Sequence, residues 1–88
     1  MIGISGITNV HKDTLKGMID IYKLVISDAE RIHDRAVACA MIKLFIGNLW
    51  RDNEINDDQY SYSRDFDIVS PISSHKAFCD IIERWVNR

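Results

Sequence analysis

The chain has 88 residues, of which 11 are basic and 13 acidic, and its formal net charge at pH 7 is −2. A chain of this length forms one domain, and its balanced charge excludes a protein that coats DNA or long RNA, because such proteins carry a basic stripe. The first ten residues have neither the basic start nor the continuous apolar run of a signal peptide, so we expect a cytoplasmic protein.

The first predicted helix follows a short mixed segment. Residues 1–12 contain isoleucines and glycines, which suggests an extended stretch or a brief strand. Asp13 or Thr14 is a suitable N-terminal cap, and apolar residues then recur every three or four positions. We therefore predict a helix that ends or bends between Ser27 and His33.

The second predicted helix, from Asp34 to Trp50, is apolar on almost every side, and Lys43 and Asn48 are the polar residues within its apolar run. Such a helix is buried in protein or spans a membrane. It is shorter than the roughly 20 residues that a bilayer requires, and Lys43 at its centre would cost at least ~2.5 kcal/mol in lipid. We therefore expect no membrane segment. The rest of a small chain cannot cover this helix, so we expect a neighbouring subunit to do so.

Small residues line one side of the second helix. Ala36, Ala40 and Gly47 share a stripe with Lys43 at 100° per residue. One interpretation is a helix crossing along which Lys43 extends to water. The other is a close approach by another subunit or a flat ligand, with the Lys43 ammonium pointing into the gap.

The rest of the chain divides into a polar connector and a last helix. Residues 52–70 are acidic and lack helical periodicity, so we predict a loop that contains a short strand at residues 66–69. Ser73 or Ser74 is expected to cap a C-terminal helix within residues 71–88, whose apolar residues share one face.

These elements predict an all-α fold that assembles into an oligomer. Residues 1–88 form a single domain with a helical hairpin core at residues 13–51, followed by the acidic connector and the C-terminal helix. Cys39 and Cys79 lie inside apolar helical patterns and have no Cys or His at metal-ligand spacing. We therefore expect two reduced, buried thiols.

Catalytic and metal-binding motifs are absent from the sequence. His11, His33 and His75 are far apart, and no HExxH, CxxC, GxSxG or glycine-rich phosphate loop occurs. We therefore expect neither an enzyme nor a bound cofactor or metal ion. Cations near helix ends, with aromatic residues nearby, are instead the residue types that pair with phosphates and stack on bases. The cations are Lys12, Lys16, Lys23, Arg31, Arg35, Lys43 and Arg51, and the aromatic residues are Tyr22, Trp50, Tyr60 and Tyr62.

The run DRAVACAMIKLFIGNLW, residues 34–50, resembles the second helix of the helical-hairpin core of phage anti-CBASS sponges. Proteins of this family sequester the cyclic oligonucleotide signals of bacterial defence. The family's spacing is matched at Arg35, Ala40, Lys43–Leu44 and Trp50. Leu15 and Lys16 resemble the pair near the start of the family's preceding helix, so the resemblance covers roughly residues 12–50.

The resemblance implies a compact helical homo-oligomer, a hexamer, that binds cyclic dinucleotides such as cyclic GMP–AMP, or cyclic trinucleotides, between subunits. Such a protein acts in the host cytoplasm and does not cleave its ligand. Lys16 is the first candidate for phosphate pairing, by the resemblance and by its place in the first turn of the predicted helix. Asp57 stands where the family tends to have a basic residue, for which Arg51 or Arg64 is a candidate replacement. The candidate ligand-binding residues are His11, Lys12, Lys16, Arg35, Lys43 and Arg51.

Two other functions fit the same sequence. One is a small phage inhibitor that blocks a host protein by direct contact, in which the acidic segment 52–67 imitates the charge of a nucleic acid. The other is a structural helical oligomer in which Arg35 and Lys43 are packing or surface residues. Binding of a cyclic nucleotide distinguishes the sponge from both.

Overall fold

Four α-helices account for most of residues 6–87, the part of the chain that the computed structural model describes. They are α1 (Asn9–Ile26), α2 (Ile32–Arg51), α3 (Asp57–Asp65) and α4 (Ile72–Val86). No β-strand occurs within the described residues, and the all-α prediction is confirmed for them. The predicted extended start falls partly on residues 1–5, outside the described range, and residues 9–12 are helical.

The helices α1 and α2 form an antiparallel hairpin, joined by the turn at residues 27–31. α4 packs against α1, and α3 packs against α2. Buried residues of α1, α2 and α4 form one core, to which the turn between α2 and α3 adds Ile55. The largest aliphatic and aromatic side chains that are fully buried are Leu15, Ile19, Tyr22, Ile42, Ile46, Leu49, Phe78 and Ile82.

The start of α1 is fixed by a contact that is distant in sequence. α1 begins at Asn9, and its N-cap Thr8 accepts a hydrogen bond from a backbone N–H of the first turn at 3.3 Å. Asp13 and Thr14 lie inside the helix, so the predicted caps are wrong. The Thr8 N–H donates to the Glu54 carboxylate at 2.8 Å, so a residue beyond the end of α2 holds the entrance to α1.

The second helix is buried on one side and exposed on the other. α2 begins at Ile32 rather than at Asp34, and Asp34 pairs with Arg31 at 2.7 Å. Three large aliphatic side chains on its other side are exposed: Val37, Met41 and Leu44. The helix that is apolar on almost every side is therefore covered over only part of its circumference within one chain.

α3 and its C-terminal cap cover the part of the small-residue stripe on α2 that contains Lys43 and Gly47. A Cβ atom added at Gly47 would lie 3.9 Å from the Tyr60 ring. The Lys43 ammonium donates a hydrogen bond to the carbonyl of Phe66, the residue that caps the C-terminus of α3. At Gly47 and Lys43 the stripe is therefore a helix crossing inside the chain. The alternative, that another subunit or a flat ligand approaches the stripe, stays a prediction for Ala36 and Ala40, which are half-buried.

α3 replaces much of the loop predicted at residues 52–70. The Asn56 side chain accepts from the Gln59 backbone N–H at 2.8 Å, and the Gln59 side chain accepts from the Asn56 N–H at 2.9 Å. This capping box starts the helix. Tyr60 then holds the helix on α2 by stacking against Trp50, with ring centroids 4.2 Å apart. The loop prediction failed because so few apolar residues occur in α3 that no periodicity is visible.

The segment between α3 and α4 also differs from the prediction. Residues 66–69 contain a turn in place of the predicted strand. α4 begins at Ile72, directly after its N-cap Pro71, so the predicted caps at Ser73 and Ser74 are wrong. Proline suits this boundary because its fixed φ matches the extended conformation of a cap residue.

The turn after α2 depends on Asn53, which has a left-handed φ of 59°. The Glu54 N–H donates to the Leu49 carbonyl at 2.8 Å, and the Asn53 N–H donates to the Trp50 carbonyl at 3.1 Å. These two bonds form a Schellman motif. The motif directs the chain so that Glu54 reaches the start of α1.

We expect Asn53→Ala to lower the free energy of unfolding by about 1 kcal/mol, because a Cβ atom disfavours the left-handed conformation that the motif requires. Asn53→Gly is the matched control and should keep or raise stability, because glycine adopts this conformation without steric cost. Urea unfolding followed by circular dichroism measures both variants. Equal stabilities of the two variants would contradict the role given to Asn53.

Candidate functional site

Four of the six predicted ligand-binding residues lie at one end of the hairpin, which we call the open end. It consists of the first half of α1 and the last turn of α2. The four residues are His11, Lys12, Lys16 and Arg51. The two segments meet at Glu54, three residues beyond the end of α2, which accepts from the Thr8 N–H and lies 2.7 Å from His11 Nδ1. The antiparallel hairpin thus places the start of α1 beside the end of α2, while Lys16 lies about 8 Å further along α1 than His11.

His11 is paired with an acid of its own chain. Its Nδ1 lies 2.7 Å from Glu54 Oε2, while the Thr8 N–H donates to Glu54 Oε1 at 2.8 Å. Burial alone would raise the pKa of Glu54, but the hydrogen bonds from Thr8 and His11 outweigh burial and hold this pKa below its usual value. Glu54 is therefore an ionised partner for His11. The pair holds the hairpin ends together and leaves His11 less available to a ligand.

The other three cations of the open end differ in exposure to solvent. Lys16 and Arg51 are exposed, and Lys12 is half-buried. Exposed cations can form charge-assisted hydrogen bonds with an anion without first breaking a buried ion pair. Lys16 and Arg51 are therefore the best placed of the predicted residues for binding a phosphate.

A stacked aromatic pair stands beside Arg51. The Trp50 and Tyr60 rings are nearly parallel, at an interplanar angle of 8°, and the Trp50 indole N–H donates to Asp57 at 2.8 Å. The guanidinium of Arg64 lies 5.6 Å from the Tyr60 ring centroid. Trp50 is still 38% exposed, so part of the indole is open to a flat group such as a base.

Arg35 and Lys43 do not belong to the open end. Lys43 precedes Arg51 by two turns of α2, about 12 Å, and its ammonium binds the Phe66 carbonyl. Arg35 is near the other end of α2, about 24 Å from Arg51. It is buried, and its Nη1 has no hydrogen-bond partner within the described residues. The six predicted residues therefore do not form one site within a single chain.

A buried polar network near Arg35 was missed by the sequence analysis. His75 Nε2 lies 2.9 Å from the Ile68 carbonyl, so this nitrogen carries the proton and donates. His75 Nδ1 therefore accepts the hydrogen bond from the Tyr22 hydroxyl, at 2.7 Å. Burial, followed by the neighbouring Cys39 side chain, raises the pKa of Tyr22. The hydrogen bonds of the network join α1, α4 and the turn before α4.

One signal for this network was present in the sequence. A buried tyrosine needs a partner for its hydroxyl, and Tyr22 lies within the apolar stripe of the first helix. What the sequence did not contain was the identity of the partner, because His75 is 53 residues away. His75 lies in the first turn of α4, and its ring is fully buried.

No family model matches this sequence, and no curated protein or solved structure is significantly similar to it. Within residues 6–87, none of the helices has both the length and the hydropathy needed to cross a membrane. In the same range, no three His, Cys, Asp or Glu side chains are grouped closely enough to hold a metal ion.

We expect the free energy of unfolding to decrease as the pH falls below 6.5, the usual pKa of a histidine. Burial, with a further contribution from the Arg35 charge, lowers the pKa of His75 despite the hydrogen bond to Ile68 and the charge of Asp67. The folded chain therefore binds a proton at His75 less readily than the unfolded chain does. The contribution of neutral His75 to stability is complete above pH 6.5 and is lost as the pH falls below it.

Urea unfolding between about pH 7.5 and about pH 5.5 measures this dependence, because unperturbed histidines titrate within that range. His75→Gln should reduce the pH dependence. The control His33→Gln removes an exposed histidine and should leave it unchanged. If His75→Gln showed the same pH dependence as the unmodified chain, the assignment of this dependence to His75 would be refuted.

Proposed function

We propose that this chain sequesters cyclic dinucleotides, such as cyclic GMP–AMP, as a homo-oligomer and without cleaving them. The observation that supports this proposal is the open end, where exposed Arg51 directly follows Trp50 of the partly exposed Trp50–Tyr60 stack, and where α1 carries a second exposed cation, Lys16. A cyclic dinucleotide carries two phosphate charges and two flat bases. The open end offers the matching groups, and the resemblance of residues 34–50 to phage anti-CBASS sponges points to the same ligand class. Cyclic trinucleotides carry the same groups and are the second ligand class to test.

The strength of the interactions explains why the proposal requires more than one copy. A charge-assisted hydrogen bond contributes about 1.5–3 kcal/mol and a stacked base about 1–3 kcal/mol. Two exposed cations and one stack therefore provide at most about 9 kcal/mol before the cost of association. Sequestration with nanomolar affinity requires about 12 kcal/mol net. Two open ends on one ligand would supply the difference, which is why the working form is proposed as an oligomer, with the hexamer as the expected state.

The proposal narrows the set of binding residues. His11 is paired with Glu54, Lys43 binds a backbone carbonyl, and Arg35 is buried at the other end of α2. These three residues have structural roles in the chain. The proposed contacts to phosphate are therefore made by Lys16 and Arg51.

We expect cyclic GMP–AMP to raise the melting temperature of the purified protein and to release heat on binding. Lys16→Ala and Arg51→Ala should each weaken binding by about 10- to 100-fold, the equivalent of one charge-assisted hydrogen bond. Lys76→Ala, which removes an exposed cation from α4, is the matched control and should bind normally.

The ligand recovered from the mixture by chromatography should be intact. No melting shift and no heat with a panel of cyclic di- and trinucleotides would overturn the proposal. Binding that Lys16→Ala and Arg51→Ala leave unchanged would place the ligand elsewhere and overturn the proposed site.

A second candidate function rests on an acidic groove between α3 and α4. The groove has a volume of about 630 Å³, and its lining includes the acidic residues Asp58, Asp65 and Asp67 together with Tyr62. Such a surface attracts a basic partner and presents one aromatic contact to it. This observation favours an inhibitor that blocks a host protein by direct contact.

If the inhibitor hypothesis is correct, the double variant Asp58→Asn/Asp65→Asn should no longer retain a stoichiometric host protein in a pull-down. Neutralising the groove should leave binding of cyclic nucleotides the same or slightly stronger, because phosphates are repelled less. Asp13→Asn/Asp20→Asn changes the net charge equally on exposed positions of α1 and is the control. Retention of the partner by the groove variant would reject the acidic groove as the contact.

A further inference from the structure

One side of the hairpin carries an uncovered apolar groove. Its volume is about 240 Å³, and its apolar lining comes from both helices: Met18, Ile21, Val25, Val37, Ala38 and Met41. On α2, Lys43 and Trp50, which contact α3, lie about 180–200° around the helix from Met41. On α1, Lys23, which binds Glu83 of α4, lies about 200° from Ile21. The groove is therefore on the side of the hairpin opposite to α3 and α4.

Exposed aliphatic side chains extend the groove into a larger surface, which we call the hairpin face. Ile21 is 59% exposed and Met41 is 51% exposed at the groove itself. Leu24 and Leu44 flank it, one on each helix, and are 70% and 73% exposed. Each of these leucines is about 60° around its helix from a groove residue, so the surface is continuous. A continuous apolar surface on a small protein marks an interaction site.

The charged residues of the hairpin face indicate what covers it. Arg31 and Asp34 line the groove and bind each other at 2.7 Å, so the surface has no net charge and does not favour a partner of either sign. It does fit a second copy. A two-fold axis along the hairpin places the Arg31–Asp34 pairs of both copies at the same end of the interface, where Arg31 of one copy can bind Asp34 of the other.

We propose that the hairpin face binds the hairpin face of a second copy of this chain, so that two hairpins form a four-helix core. This proposal depends on the oligomer in the proposed function but not on the ligand. Sedimentation of the protein without nucleotide therefore tests the interface alone, and nucleotide titration tests the ligand.

The first experiment is sedimentation velocity at micromolar concentrations, with circular dichroism to verify that each variant is helical. The unmodified chain should sediment as a dimer or as a multiple of it. Met41→Glu should weaken self-association at least about tenfold, because pairing would bury an unpaired charge. Val69→Glu places the same charge on a residue that is 83% exposed in the turn before α4 and should have no effect. A monomeric unmodified chain, or a Met41→Glu variant that associates normally, would overturn the proposal.

A second experiment tests the pairing across the axis. Arg31→Asp and Asp34→Arg each place like charges opposite one another in a self-pair, so each variant alone should associate more weakly. An equal mixture should associate as well as the unmodified chain, because every charged position then faces its opposite. The intrachain ion pair remains broken in both variants, so it cannot produce this recovery. If the mixture associated no more tightly than either variant alone, the proposed two-fold arrangement would be overturned.

Discussion

The hydrogen bond between Tyr22 and His75 joins α1 to α4 across 53 residues of sequence, inside a core that excludes water. Its direction is fixed, because the other ring nitrogen of His75 donates to the Ile68 carbonyl. An unmade hydrogen bond in such a position costs about 1–3 kcal/mol, so α4 cannot slide or rotate along α1 without a penalty. The turn at residues 66–71 is held by the same contact, and this turn includes the carbonyl that accepts from Lys43. The placement of both α3 and α4 is therefore linked to one buried polar network.

This placement determines which surfaces remain open. With α4 held on α1 and α3 held on α2, both short helices cover the same side of the hairpin. The apolar residues on its other side then have no intrachain cover, although α2 has nearly as many of them as a fully buried helix. Burying a large aliphatic side chain contributes about 1.5–3 kcal/mol, so the hairpin face is a substantial source of association energy. α2 is apolar around most of its circumference because one side packs in the core of its own chain, while the other is proposed to pack against a second copy.

The sequence predicted those features that depend on neighbouring residues. Apolar repeats identified α1, α2 and α4, and the length of the chain indicated that α2 would not be fully covered. Features that depend on distant residues were not predictable: the start of α1 requires Glu54, and the role of His75 requires Tyr22. α3 is a different case. Its capping box at Asn56 and Gln59 is a local signal, but polar periodicity is too weak to reveal a helix whose apolar contacts are few. The candidate cations do not form one site in the structure. Their residue types alone did not indicate which side of a helix each would occupy.

The two proposals constrain each other through the direction of the symmetry axis. An axis along the hairpin places α1 of one copy beside α2 of the other, and it brings both open ends to the same end of the pair. Lys16 lies beyond Leu24 on the outer flank of α1, and Arg51 lies on the Leu44 side of α2, so Lys16 of one copy and Arg51 of the other share an edge. Cations gathered at one edge repel each other unless an anion binds between them. A cyclic dinucleotide bound at one edge would contact both copies, so its binding would favour pairing. An axis perpendicular to the hairpin would instead place the two open ends at opposite ends of the pair. A ligand site shared between copies would then have to form at a second interface. A hexamer requires such a second interface with either axis.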